Sequence, residues 1–215
     1  MSIQLANGSV ISIASAYGTP IATTIVTNAL PAVVTATAHT FVLGDIVEVS
    51  SGWSKLDQRV VRVGAVTANT FELEGFDSTL TGTYPVGAGI GSARKVATWT
   101  VISQILSFAS SGGDQQFVPV QFLEADKQFE IPTIKNSARL DIGLGDDVTQ
   151  LGYLAVAAAN DDRLIRALRF VLPNSSKLFY NAFVTLNRIP TMNVNQVMEV
   201  KMNAALRADP TRYLT

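Results

Sequence analysis

Asp147-Val148-Thr149-Gln150-Leu151-Gly152-Tyr153-Leu154-Ala155-Val156-Ala157-Ala158-Ala159 decides the reading of the fold, because it is the one helix signal in a chain otherwise patterned as strands. Val148, Leu151, Leu154 or Ala155, and Ala158 recur at spacings of three and four, which predicts a short helix near 148–159 with one apolar stripe. Asp146 or Asp147 is placed to cap its first turn, and Asn160-Asp161-Asp162 to end it.

Strand patterns follow on the C-terminal side. Arg163 to Leu172 alternates and closes on Pro173-Asn174-Ser175-Ser176, a cluster of turn formers, so a hairpin is expected there. The returning run sets Leu178, Tyr180, Ala182, Val184 and Leu186 on one face. Lys177, Asn181, Thr185 and Asn187 share the other with Phe179 and Phe183, so both faces have something to bury. After Arg188-Ile189-Pro190, strict alternation runs from Val194 to Arg207, predicting a last strand longer than the roughly six residues of a typical one.

Toward the N-terminus the pattern loosens. Met1 to Pro20 mixes small polar residues and breakers with isolated isoleucines, and reads as an extended arm. Ile21 to Thr37 reads as one or two strands broken at Leu30-Pro31. Thr40 to Asp45, Ile46 to Val49, Arg59 to Val63 and Asn69 to Gly75 are short strands between turns, a small barrel or sandwich module with Trp53 as a core or lid residue. Leu80 to Gly91 is a Gly-rich connector, read as a hinge. Lys95 to Phe108 resumes a buried strand pattern, and Ala138 to Ile142 is one more strand. Ser110 to Ile131 sets Phe117, Phe122 and Phe129 among polar residues and reads as a projecting loop or hairpin. The tail after Arg207 is short. The fold class is therefore mainly β: a sandwich or barrel with one flanking helix and an inserted small β module. The divisions are 1–33 (arm and first strand), 34–80 (module) and 81–215 (the rest of the sandwich, with the loop at 110–131).

Composition narrows the function. Charged residues make up only 15% of the 215, below the roughly 25% of a typical soluble domain. A surface so poor in charge is expected to be covered by contact between subunits. A net charge of −1 supplies no basic field for sequence-specific nucleic-acid binding. No apolar run approaches the twenty or so residues of a membrane helix, so no membrane partner is expected. Met1-Ser2-Ile3-Gln4-Leu5 lacks the charged and apolar regions of a secretory signal, and the count of cysteines is 0, which points to synthesis and assembly in a cytoplasm.

Chemistry is scarce. His39, the one histidine, sits beside a turn without the serine partner that nucleophilic catalysis requires. Gly87-Ala88-Gly89-Ile90-Gly91 has the wrong spacing for a phosphate loop, and a strand follows it instead of a helix. Glu72 and Glu74 share a strand face but lack an opposing acid across a cleft. Arg163, Arg166 and Arg169 fall on both parities of one strand, which suits salt bridges with a neighbouring subunit better than a basic stripe. Asp141, Asp146 and Asp147 are oxygen ligands for a calcium or magnesium ion, or simply caps and turn formers. No enzyme activity and no cofactor are expected. Exposed Trp53, Trp99 and Tyr84 would make the platform of a carbohydrate-binding β-sandwich, the alternative from a different class.

The stretch Ala38-His39-Thr40-Phe41-Val42-Leu43-Gly44-Asp45, with a Gly-Asp turn opening a strand, and Asn69-Thr70-Phe71 opening the last one, resembles a module of bacteriophage tail proteins. With the helix, the hairpin around Pro173-Asn174-Ser175-Ser176 and the long strand to Arg207, the chain as a whole is similar to the major tail tube proteins of long-tailed bacteriophages. The resemblance implies hexameric rings that stack into a hollow tube for genome delivery, made in the bacterial host cytoplasm and resident in the virion tail. The implied partners are the chain itself, the tape measure, tail terminator and distal tail proteins, with DNA passing only transiently through the lumen. An arm and a loop would meet neighbouring rings, and the implied contact residues are Ile3, Leu5, Tyr17, Phe117, Phe122, Phe129, Arg207 and Tyr213. A tail terminator, a tube-end protein or a head decoration protein is the runner-up.

Overall fold

The computed structural model describes residues 7–214. Sixteen strands and one helix follow in order: β1 (Val10–Tyr17), β2 (Ile21–Thr23), β3 (Ile25–Val26), β4 (Ala32–Thr35), β5 (Ile46–Ser51), β6 (Arg59–Val66), β7 (Thr70–Leu73), β8 (Gly91–Ile102), β9 (Ile105–Ser111), β10 (Gln115–Val120), β11 (Phe129–Lys135), β12 (Arg139–Gly145), α1 (Leu151–Asp162), β13 (Ile165–Val171), β14 (Lys177–Thr191), β15 (Glu199–Leu206) and β16 (Thr211–Tyr213). The fold is mainly β with one flanking helix. One curled antiparallel sheet runs β3-β4-β7-β6-β5-β8-β1-β13-β14-β15-β12-β9, with β2 on β8 and β16 on β14; β10 and β11 pair apart from it.

The expected hairpin is β13 and β14, in register from Ile165 opposite Phe183 to Val171 opposite Lys177. Its alternation does what the pattern requires. Ala182, Val184 and Leu186 enter the main core with Ile13, Leu168, Val200 and Met202, while Phe179 enters a smaller cluster on the other face with Ala14, Val60 and Tyr213.

The helix begins three residues later than the spacing predicts and turns its other side inward. Gly152, Tyr153, Val156 and Ala159 are buried, whereas Val148, Leu151 and Leu154 are exposed. Gly152 decides this, since a Cβ there would lie 2.5 Å from the Val101 carbonyl oxygen; without one the helix settles on β8. Gln150, not Asp147, is the N-cap, and it makes no side-chain cap bond. Asp147 instead closes the turn ahead of the helix, accepting from the Thr149 hydroxyl at 2.6 Å, the Thr149 N–H at 3.0 Å and Gln104 Nε2 at 2.9 Å. Those bonds, the Thr149 hydroxyl first, hold its carboxyl well below the usual carboxylate range. Asn160, Asp161 and Asp162 lie inside the last turn, and Arg163, in the left-handed region at φ 54°, ends the helix.

Four other expectations are corrected. Val10–Tyr17 is no arm but a central strand between β8 and β13, with Ile11, Ser12, Ile13 and Ala14 all buried. Thr40–Asp45 is a turn, because the Asp45 carboxylate accepts from the Val42 N–H and Gly44 adopts φ 86°. The strand expected from Val194 starts only at Glu199, as β15; Asn195, at φ 61°, turns the chain, and the long strand is β14, whose ladder with β15 shifts register between Asn187 and Thr191. The C-terminal tail forms β16, which seats Tyr213 in the fold.

A second core fills the curl around β4 to β7 and contains Trp53, Leu56, Val34, Val63, Phe71 and Leu73. The Gly-rich connector is fastened over it and is not a hinge. Trp53 Nε1 donates to the Pro85 carbonyl at 2.8 Å, Tyr84 stacks edge-on against Trp53, and Gly89 lies where a Cβ would be 2.8 Å from the indole.

Candidate inter-subunit surface

The main sheet ends at β9, which pairs with β12 on one side and with nothing on the other among the described residues. Leu106 and Phe108 on that edge strand are about half exposed. An open edge of this kind presents a row of unpaired N–H and C=O groups, a template for another strand.

From β9 the chain rises directly into the hairpin of β10 and β11. Gly112 and Gly113 make the exit, both at positive φ, and Gly112 passes so close to Ser137 that a Cβ would sit 2.2 Å from its carbonyl oxygen. The Asn136 N–H donates to the Asp114 carbonyl at 2.9 Å and closes the base. Beyond that point β10 and β11 pair only with each other among the described residues. Val118 faces Ile131 and Val120 faces Phe129 across the ladder, Phe122 packs against Phe129 at 5.7 Å between ring centroids, and Leu123 at the tip is fully exposed. Phe117, at 52% exposure, shares its face with Pro119 and Pro132, so each face carries apolar groups in water. A lone two-stranded hairpin is at best marginally stable, which makes these side chains groups that lack a cover.

The other residues proposed to meet neighbours lie elsewhere. Tyr17 and Tyr213 are held inside the subunit. The Tyr17 hydroxyl accepts from the Ala167 N–H at 2.7 Å beneath the Arg94 guanidinium, and burial pushes its pKa up to about 12. The Tyr213 hydroxyl accepts from the Arg62 N–H at 2.8 Å and donates to the Glu74 carbonyl at 3.3 Å. Arg207 is exposed, with Nη2 3.8 Å from Asp57. Ile3 and Leu5 lie outside the described residues. A surface that sequence reading passed over is the outer side of α1, where Val148, Leu151 and Leu154 face solvent; its signal was the second three-four stripe through Gly152, Tyr153, Val156 and Ala159, which competes for the core.

The chemical candidates resolve differently. His39 is buried, stacked on Phe41 with Nδ1 accepting from the Phe41 N–H at 3.3 Å. Glu74 is paired with Arg62, and Glu72 accepts from the Ala65 N–H at 3.2 Å. Arg166 pairs with Asp162 of its own chain. Among the described residues no three His, Asp or Glu side chains gather to hold a metal ion. The carbohydrate platform does not form: Trp53 and Tyr84 are buried, and Trp99 lies under the Arg169 guanidinium at 4.8 Å.

An open sheet edge continued by an apolar hairpin exposed to solvent is a surface built for contact with another chain. The phage tail tube protein (TTP) family model matches residues 51–215. The chain belongs to the phage tail tube protein family. It is accordingly a structural component of the virion tail. The match includes the edge strand, the hairpin, the helix and the β13–β16 region. No curated protein matches the chain.

Proposed function

We propose that this protein assembles into hexameric rings that stack as the tail tube, the conduit for genome delivery. The observation that carries the reading is the exposed hairpin of β10 and β11, which has two apolar faces and, among the described residues, no third strand paired to it. Sideways growth fits the free edge of β9, since strand addition removes unpaired backbone groups and closure into a ring leaves none open. Stacking fits the hairpin, with Phe117, Phe122 and Phe129 entering the adjacent ring and Arg207 as a further contact. Residues 34–80 are read as an inserted module beside the ring-forming sandwich. Tape measure, terminator and distal tail proteins would meet the same surfaces at the ends and inside the tube, after assembly in the host cytoplasm, and DNA would pass without sequence-specific contact.

Electron microscopy of negatively stained purified protein, with size-exclusion chromatography across concentrations, tests this. Hollow tubes or six-membered stacked rings are expected. Monomer alone, with no rings in a virion-derived sample, would overturn it.

A further inference from the structure

Between the β5, β6 and β8 part of the curled sheet and its β13–β14 hairpin lies a cavity of about 370 Å3, walled by Trp99 and Phe179. Four cations line it, Arg62 from β6, Lys95 from β8, Arg169 from β13 and Lys177 from β14, with Asp45 as the acid. That is a strong local surplus in a chain whose net charge is −1.

Two of these cations are answered within the chain. Arg62 is paired with Glu74, and Lys95 Nζ lies 2.7 Å from Asp45 Oδ1. Arg169 and Lys177 have no carboxylate partner among the described residues. Arg169 reaches only the hydroxyl of buried Ser12, through Nη2 at a long 3.5 Å, and its Nε is buried with no acceptor. Its guanidinium is held over the Trp99 ring, which fixes the plane of the fork. A fixed, partly desolvated guanidinium with no carboxylate partner is unfavourable alone and becomes favourable when a carboxylate or phosphate reaches the part of its fork that lines the cavity.

We propose that this cavity is an oxyanion site in which Arg169 and Lys177 receive one carboxylate or phosphate group. Asp45 and Glu74 keep Lys95 and Arg62 in place, so that the free donors converge on one space. The group comes either from an acidic side chain of a second copy of this chain, which rests on the assembly reading above, or from free phosphate. The hairpin of a second copy offers Glu124, Asp126 and Glu130, none of which is in an ion pair among the described residues.

The test is a titration of the full-length subunit with inorganic phosphate, and separately with acetate, against chloride at equal ionic strength. It follows the indole N–H resonance of Trp99, assigned with Trp99→Phe. A saturable shift with either oxyanion but not with chloride is expected, its Kd raised at least tenfold in Arg169→Gln and in Lys177→Gln. The Lys177 variant keeps the test open if the Arg169 variant does not fold. No saturable shift, or equal shifts in wild type and Lys177→Gln, overturns the proposal. The source is read from assembly followed by light scattering. Phosphate that slows wild type but not Lys177→Gln identifies a carboxylate of the second copy, and phosphate that leaves the rate unchanged or raises it identifies the free anion. The titration uses unassembled subunit, so its failure and a failure of the tube reading are separate results.

Discussion

The half-barrel of β4 to β7 around Trp53 and the hairpin of β10 and β11 are both short strands joined by turns, and both are rich in large apolar residues. Their fates are opposite. Trp53, Leu56, Phe71 and Leu73 are almost fully buried, whereas Phe117, Phe122, Leu123, Phe129 and Ile134 stand in solvent. The difference lies in closure. β4 to β7 form a continuous ladder that curls on itself, and Tyr84 and Gly89 of the connector cover its open side. The hairpin has two strands and, among the described residues, no third strand to extend it. Apolar content therefore marks what is to be buried, while topology decides whether the burial happens inside one subunit or between two.

The contrast is broken most severely by Trp53→Ala, which removes a buried indole and its hydrogen bond to the Pro85 carbonyl. Denaturant unfolding is expected to show a loss of about 3–5 kcal/mol. Little change would mean that the connector does not close the barrel. Tyr213→Phe comes next, because it strands the Arg62 N–H that the hydroxyl accepts from. A loss of about 1–3 kcal/mol is expected for an unpaired buried donor. If unfolding of this variant matches wild type, β16 does not fasten the two cores together.

Double replacement of Phe122 and Phe129 by Ala sits at the other end. Unfolding of the unassembled subunit should move by no more than about 0.5 kcal/mol, as for surface positions, while tube formation is lost. A large loss of subunit stability would show that the hairpin is held by its own chain. The last contrast is a pH dependence confined to the body and visible only at alkaline pH. Burial raises the Tyr17 hydroxyl from 10.0 to about 12, so its contribution is complete below pH 10 and is lost as the pH rises through about 12. Tyr17→Phe should remove that component of an alkaline unfolding profile, and an unchanged profile would assign it to another group.

Much of this was legible in the sequence where alternation was long and both faces had a use. Lys177 to Leu186 shows its two-sided burial in the order of its residues, and Phe117, Phe122 and Phe129 in an irregular polar segment mark the projection. β1 was hidden because Ser12 and Ser15 dilute its pattern, yet Ser12 is wholly buried at a centre-strand position and the ladder with β8 shifts register after Ala14. The helix face was ambiguous, since two stripes satisfy the same spacing and only the close approach at Gly152 selects one. Tyr17 and Tyr213 were expected at subunit contacts, and their partners within the chain were hidden because Ala167 and Arg62 lie about 150 residues away. The oxyanion cavity was illegible for the same reason, because β5, β6 and β8 on one side and the β13–β14 hairpin on the other lie far apart in sequence.

Hydrogen exchange of β9 to β11, compared between unassembled subunit and tube, tests the central claim most directly. Exchange of the hairpin amides should be fast in the subunit and slow in the tube, while those of β6 and β7 around the Trp53 core stay protected in both. Hairpin amides already protected in the subunit, or still unprotected in the tube, would contradict the account.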